Sequence, residues 1–157
     1  MLSLLTVAML LVNCGKEDTP TPNAPEMVFF KVSDGTEQSE ESFILALDDP
    51  DEIEQARQII ADPVNSTEKI VSAKIIRQDG AEAYPNKDVN SGTEWSWRID
   101  EFQGFVGLTA EILDGWPGYI EEDLDRWFQN TGGDTNHGFI GLWGYTVVEE
   151  LTSDDLD

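Results

Sequence analysis

The stretch WSWRIDEFQGFVGLTAEILDGWPGYIEEDLDRW, residues 95–127, passes from one hydrophobic period to another. Its first part alternates large apolar residues with polar ones, which is the pattern of a strand and puts Trp95 and Trp97 on one face. Two strands are expected, at 95–99 and 105–113. The second is apolar on both faces, which places it centrally in a sheet. The Trp116-Pro117-Gly118 turn then opens a helix in which Ile120, Leu124, Trp127 and Phe128 fall at i, i+4, i+7 and i+8. That stripe packs inward, while Glu121, Glu122 and Asp125 favour the positive end of the helix dipole.

Upstream, residues 29–32 and 42–47 read as strands joined by a polar connection. Asp49-Pro50-Asp51-Glu52 marks a helix start: Asp49 caps, Pro50 suits the first helical position, and Glu52 stands where a capping box wants an acid. Ile53, Ala56, Ile59 and Ile60 follow at helical spacing, and Asp62-Pro63 ends the run, because a residue before proline avoids the helical region. KIVSAKIIR, residues 69–77, is strand-like and leads into a turn-rich loop at 78–93, a length at which loops often carry function. Downstream, Asn130-Thr131-Gly132-Gly133 stops the second helix and residues 137–151 supply a last strand. The pattern predicts an α+β fold: a single small domain, a mostly antiparallel β-sheet packed with two helices.

Composition agrees with one packed unit. The 157 residues are 39% hydrophobic and include five Trp and seven Phe, enough to bury a core. Only 9 basic residues face 32 acidic ones, for a formal charge of -23. Such a surface repels phosphates and anionic headgroups, so nucleic acid is not an expected partner. Its plain reading is a solvated shell that keeps the protein soluble.

Residues 1–13 read as a signal peptide. Within them LSLLTVAMLLV, residues 2–12, is an uncharged, mostly apolar run of 11, too short to span a bilayer and suited to a signal core. Leu11-Val12-Asn13-Cys14 resembles the lipobox of bacterial lipoproteins, which makes Cys14 the lipidation site and a membrane-anchoring residue. Asn13 stands where that motif usually has Gly, Ala or Ser. Residues 14–26, with three prolines, read as a tether able to reach roughly 30 Å. The globular domain is expected over 27–151, followed by a frayed acidic tail at 152–157. The expected location is the bacterial cell envelope, outside the cytoplasm, with Gly15 favouring the outer membrane.

The 95–127 block, together with FILALDDPDEIEQARQII and KIVSAKIIR, resembles a family named after the N-terminal domain of a slime-mould calmodulin-binding protein, with many secreted bacterial members. The similarity covers residues 29–149. In that family's pattern Leu113 stands where relatives often carry Cys, and the later Cys of a CPW-like motif is replaced within residues 138–144. The resemblance implies a disulfide in relatives that apolar packing replaces here. Calmodulin grips basic amphipathic helices, whereas both helices here are acidic, so it is not an expected partner.

Candidate chemistry is sparse. With one His and no G-x-S-x-G or H-E-x-x-H, serine-triad and zinc mechanisms lack their residues, and no catalytic residue, metal ligand or cofactor is assigned. Glu111 and Asp114, with Glu101 nearby in sequence, are the carboxylates that a hydrolase acting on an envelope or extracellular substrate would use. Asp134-Thr135-Asn136-His137-Gly138 opens like a calcium loop but has Gly138, Phe139 and Tyr145 where ligand, glycine and glutamate belong, so a polar turn is expected, with His137 a hydrogen-bonded loop residue. Among the tryptophans a core role is the rule, and Trp116, held in a turn, is the expected exception. The function read from the sequence is therefore a lipid-anchored, non-enzymatic binding domain for a protein or glycan ligand, with Glu111, Asp114 and Trp116 as binding candidates. The alternative is a carboxylate-dependent hydrolase.

Overall fold

The computed structural model describes residues 27–35, 41–81, 84–107 and 115–156. Six strands form one sheet: β1 Val28–Ser33, β2 Phe43–Leu47, β3 Ile70–Arg77, β4 Trp97–Val106, β5 His137–Ile140 and β6 Thr146–Leu151. The order is β2-β1-β6-β3-β4, with β5 also paired to β3, and each pairing is antiparallel. Four helices, α1 Pro50–Ala61, α2 Pro117–Glu122, α3 Leu124–Asn130 and α4 Ser153–Leu156, complete the α+β domain.

Alternation builds the core. Phe30 and Val32 from β1, Phe43, Leu45 and Leu47 from β2, and Val71, Ala73 and Ile75 from β3 are each 2% exposed or less, as period-2 positions on one sheet face should be. Helix α1 begins as its sequence dictates: Asp49 accepts from the N–H groups of Asp51 and Glu52, and Pro50 follows it. Its buried Ile53, Ala56 and Ile59 lie on one stripe. Arg57, on the same helix, forks onto Glu150 of β6 with two hydrogen bonds of 2.8 Å.

β2 and β4 stand at opposite ends of the strand order, yet one side chain ties them together. Asn86 accepts from the Ile44 N–H at 2.9 Å and donates to the Trp97 carbonyl at 2.8 Å. Asp88 accepts from the Ser42 N–H and hydroxyl, and from Ser91. Trp95 donates its indole N–H to the Ser42 carbonyl. The segment 84–95 is therefore a strap whose side chains replace a neighbouring strand along the β2 edge, which otherwise presents unpaired donors. Phe43 and Trp97 meet beneath it, ring centroids 5.5 Å apart.

Several elements differ from the sequence reading. The strands expected at 95–99 and 105–113 are one strand, β4, which ends at Val106 and lies at the end of the sheet order rather than at its centre; residues 108–113 lie outside the described residues. Residues 100–104, left between the two expected strands, belong to β4: bulges at Ser72/Ala73 and Lys74/Ile75 shift the register there, and Lys74 pairs with Asp100 at 3.0 Å. A bulge moves polar residues outward without ending a strand. The single last strand expected at 137–151 is two, β5 and β6, separated by a turn in which Tyr145 donates to the Leu142 carbonyl and Gly144 takes φ +84°. The second helix breaks at Asp123, whose non-helical backbone ends α2 and whose carboxylate caps α3 at the Arg126 N–H. Aspartate caps more readily than it continues a helix. The acidic tail closes one turn, α4, through Asp155 accepting from the Thr152 N–H and hydroxyl.

Candidate functional site

Trp116 caps α2 in extended conformation, and its carbonyl accepts from the N–H groups of Tyr119 and Ile120. This geometry lays its ring on Tyr119, one turn ahead, with centroids 5.2 Å apart and planes tilted by 35°. Trp116 is 47% exposed. Tyr119 in turn meets Trp127 of α3 edge-on at 6.0 Å. Trp127 is buried, and its indole N–H donates to the Phe139 carbonyl of β5 at 3.0 Å. The three rings run from solvent to core, and the innermost is fixed to the sheet.

The base of this wall is rigid for identifiable reasons. A Cβ at Gly115 would lie 2.7 Å from the Trp127 ring and 3.5 Å from a Leu142 methyl. Gly118 donates its N–H to Glu41 at 2.8 Å, and a Cβ there would strike the same carboxylate. Only glycine admits the close approach at Gly115, whereas at Gly118 the flexible Glu41 side chain could swing aside. The Gly115–Leu142–Trp127 contact also joins the two segments in which relatives are expected to carry cysteines. Leu113 itself lies outside the described residues.

Tyr119 and Trp127 form one side of a depression of about 240 Å³, completed by Glu122, Asp123, Arg126 and Asn130. Asp123 uses one carboxylate oxygen for its cap. Among the described residues no side chain pairs with the guanidinium of Arg126 or the carboxylate of Glu122. The depression thus offers donors, acceptors and ring edges together, which is the arrangement that orients a small polar ligand.

Of the binding candidates read from sequence, Trp116 is on this wall, whereas Glu111 and Asp114 lie outside the described residues, as does Cys14. Glu101 is exposed on β4, opposite Lys74. Trp95 and Trp97 are buried and stacked at 6.3 Å. Trp143 is 58% exposed and follows Leu142, the residue touching Gly115. Asp134 accepts from the N–H groups of Asn136 and His137 and from the His137 ring, a polar turn before β5; those bonds hold its carboxyl below the ordinary value, the Asn136 N–H most of all. Among the described residues no three His, Cys, Asp or Glu side chains gather as a metal site. Tyr119, Arg126 and Asn130 were not singled out from the sequence, and Glu122 only as an acid near the helix start. Their i, i+3, i+7, i+11 spacing marks a second helical face beside the apolar stripe, and that was the available signal.

Fold and site together define a small α+β domain with a strapped antiparallel sheet and a ring wall beside its second helical segment. The model of the BP-74 N-terminal domain family matches residues 26–154, and the chain belongs to that family. No curated protein and no solved structure matches it.

Proposed function

We propose that this chain is a lipid-anchored, non-enzymatic binding domain of the bacterial cell envelope, held to the membrane through Cys14 and presenting the Trp116–Tyr119 wall to its ligand. The observation that carries the binding face is the half-exposed Trp116 ring, backed by Tyr119 and then by Trp127. A large rigid ring on a fixed base buries area at little entropic cost, and such residues dominate binding energy. The proposed anchor rests on the apolar run and the Leu11-Val12-Asn13-Cys14 motif. An acidic, soluble domain on a tether of 14–26 would stand clear of anionic headgroups.

Co-sedimentation of the protein with envelope fractions tests the face. Trp116→Ala is expected to weaken binding at least tenfold, about 1.4 kcal/mol, with its melting temperature close to that of wild type. Equal binding by both proteins contradicts the assignment. Metabolic labelling with a fatty acid tests the anchor: Cys14→Ser should abolish incorporation, and equal labelling of the two proteins removes the anchor from the account.

A further inference from the structure

Resting on that binding-face reading, we infer that the depression beside the wall takes an uncharged saccharide, with a sugar ring against Tyr119 and its hydroxyls held by Glu122, Arg126 and Asn130. Its size is the first argument. At about 240 Å³ it falls below the roughly 300–1,000 Å³ of clefts that enclose a drug-sized ligand, and it holds one ring-sized group with the remainder of a chain lying in solvent.

Its chemistry is the second. A sugar hydroxyl both donates and accepts, so a site for several hydroxyls needs both kinds of partner close together. Arg126 supplies a fork of donors, Glu122 only acceptors, and Asn130 one of each kind, all from the α2–α3 region. The C–H face of a sugar ring is the apolar complement of an aromatic side chain, and Tyr119, flanked by Trp116 and Trp127, provides that surface.

Charge is the third argument. A formal charge of -23 disfavours sulfated, phosphorylated or uronic acid-rich chains over the whole surface. A basic peptide would be drawn by that field and by the Glu122 and Asp123 carboxylates of the depression, with only Arg126 opposing it, so it is the competing class that the test must separate. An uncharged polyol meets no such repulsion, and it uses the donors and acceptors of the depression together.

Calorimetric titration of the full chain with uncharged oligosaccharides of four to six sugars, built on glucose, mannose, galactose or N-acetylglucosamine, tests this, with decalysine as the competing class. At least one oligosaccharide should saturate the protein. Trp116→Ala and Arg126→Ala should each weaken it tenfold or more, and Arg126→Lys, which keeps the charge and loses the fork, should also weaken it. If no oligosaccharide binds, the saccharide assignment is overturned. Should decalysine then bind and lose affinity in Trp116→Ala, the face stands with a basic peptide as its ligand. If Trp116→Ala matches wild type toward every probe and toward envelope fractions, the face falls as well.

Discussion

Five tryptophans separate into two kinds by what lies behind them. Trp97 is fully buried, stacked on Trp95 and tilted against Phe43, so Trp97→Ala should cost about 3–5 kcal/mol in stability, read from denaturant unfolding. Trp116 touches one ring and is half in solvent; Trp116→Ala should stay within about 1 kcal/mol of wild type, the scale of one aromatic pair. A Trp116→Ala protein as unstable as Trp97→Ala would make Trp116 a staple between strand and helix rather than a binding ring. Position in the sequence separated these residues, since alternation put Trp95 and Trp97 on a core face and a Pro-Gly turn put Trp116 off it. Trp143 gave no such signal, because its exposure follows from a turn that splits the last strand. Gly138 is a further test at this scale. A Cβ there would lie 2.8 Å from both Phe128 and Thr131, so Gly138→Ala should destabilise by about 1–3 kcal/mol through overpacking, visible as a lowered melting temperature.

Strand and helix types follow from period, and most are readable in the chain: β1, β2, α1 and β3 begin and end within a residue or two of the expected positions. The strap at 84–95 is not readable, because its structure comes from side-chain bonds to a strand edge 42 or 46 residues away. Sequence marked it only as a long loop. The helix break at Asp123 and the bulges of β3 and β4 are hidden for a similar reason, since local preference there yields to a cap and a register shift. Asp88 supplies the prediction that belongs to the strap. Burial alone would raise its carboxyl, but hydrogen bonds from Ser91, Ser42 and the backbone at Asn90 and Ser91 outweigh that and hold it below its ordinary value. A carboxylate depressed in the fold stabilises fully above its unfolded pKa, about 3.9, and the contribution is lost as pH falls through the lower folded value. Asp88→Asn should therefore lower stability at neutral pH by about 1–3 kcal/mol and flatten the loss of stability below about pH 4. Parallel acid profiles of mutant and wild type would show that the strap is not held by this charge. Asn86→Ala, which unpairs Ile44 and Trp97 together, should be destabilising without changing the acid profile.

At the scale of the molecule the parts divide the work. The family, the fold class and the turn tryptophan were legible because they depend on order, period and local breakers. The depression was not, because it depends on how α2 and α3, separated at Asp123, bring Tyr119, Glu122, Arg126 and Asn130 around one hollow. In the proposed function, net charge and the Cys14 motif bear on where the protein would sit and what it would repel, while the wall bears on what it would hold. Trp116 and Tyr119 are the proposed contact surface. Oxidative footprinting of the full chain, with and without saturating envelope ligand, measures this directly by mass spectrometry. The account predicts a marked fall in oxidation centred on Trp116 and Tyr119, extending to the segment through Arg126. Unchanged oxidation at Trp116 and Tyr119, with protection appearing elsewhere on the molecule, would contradict it.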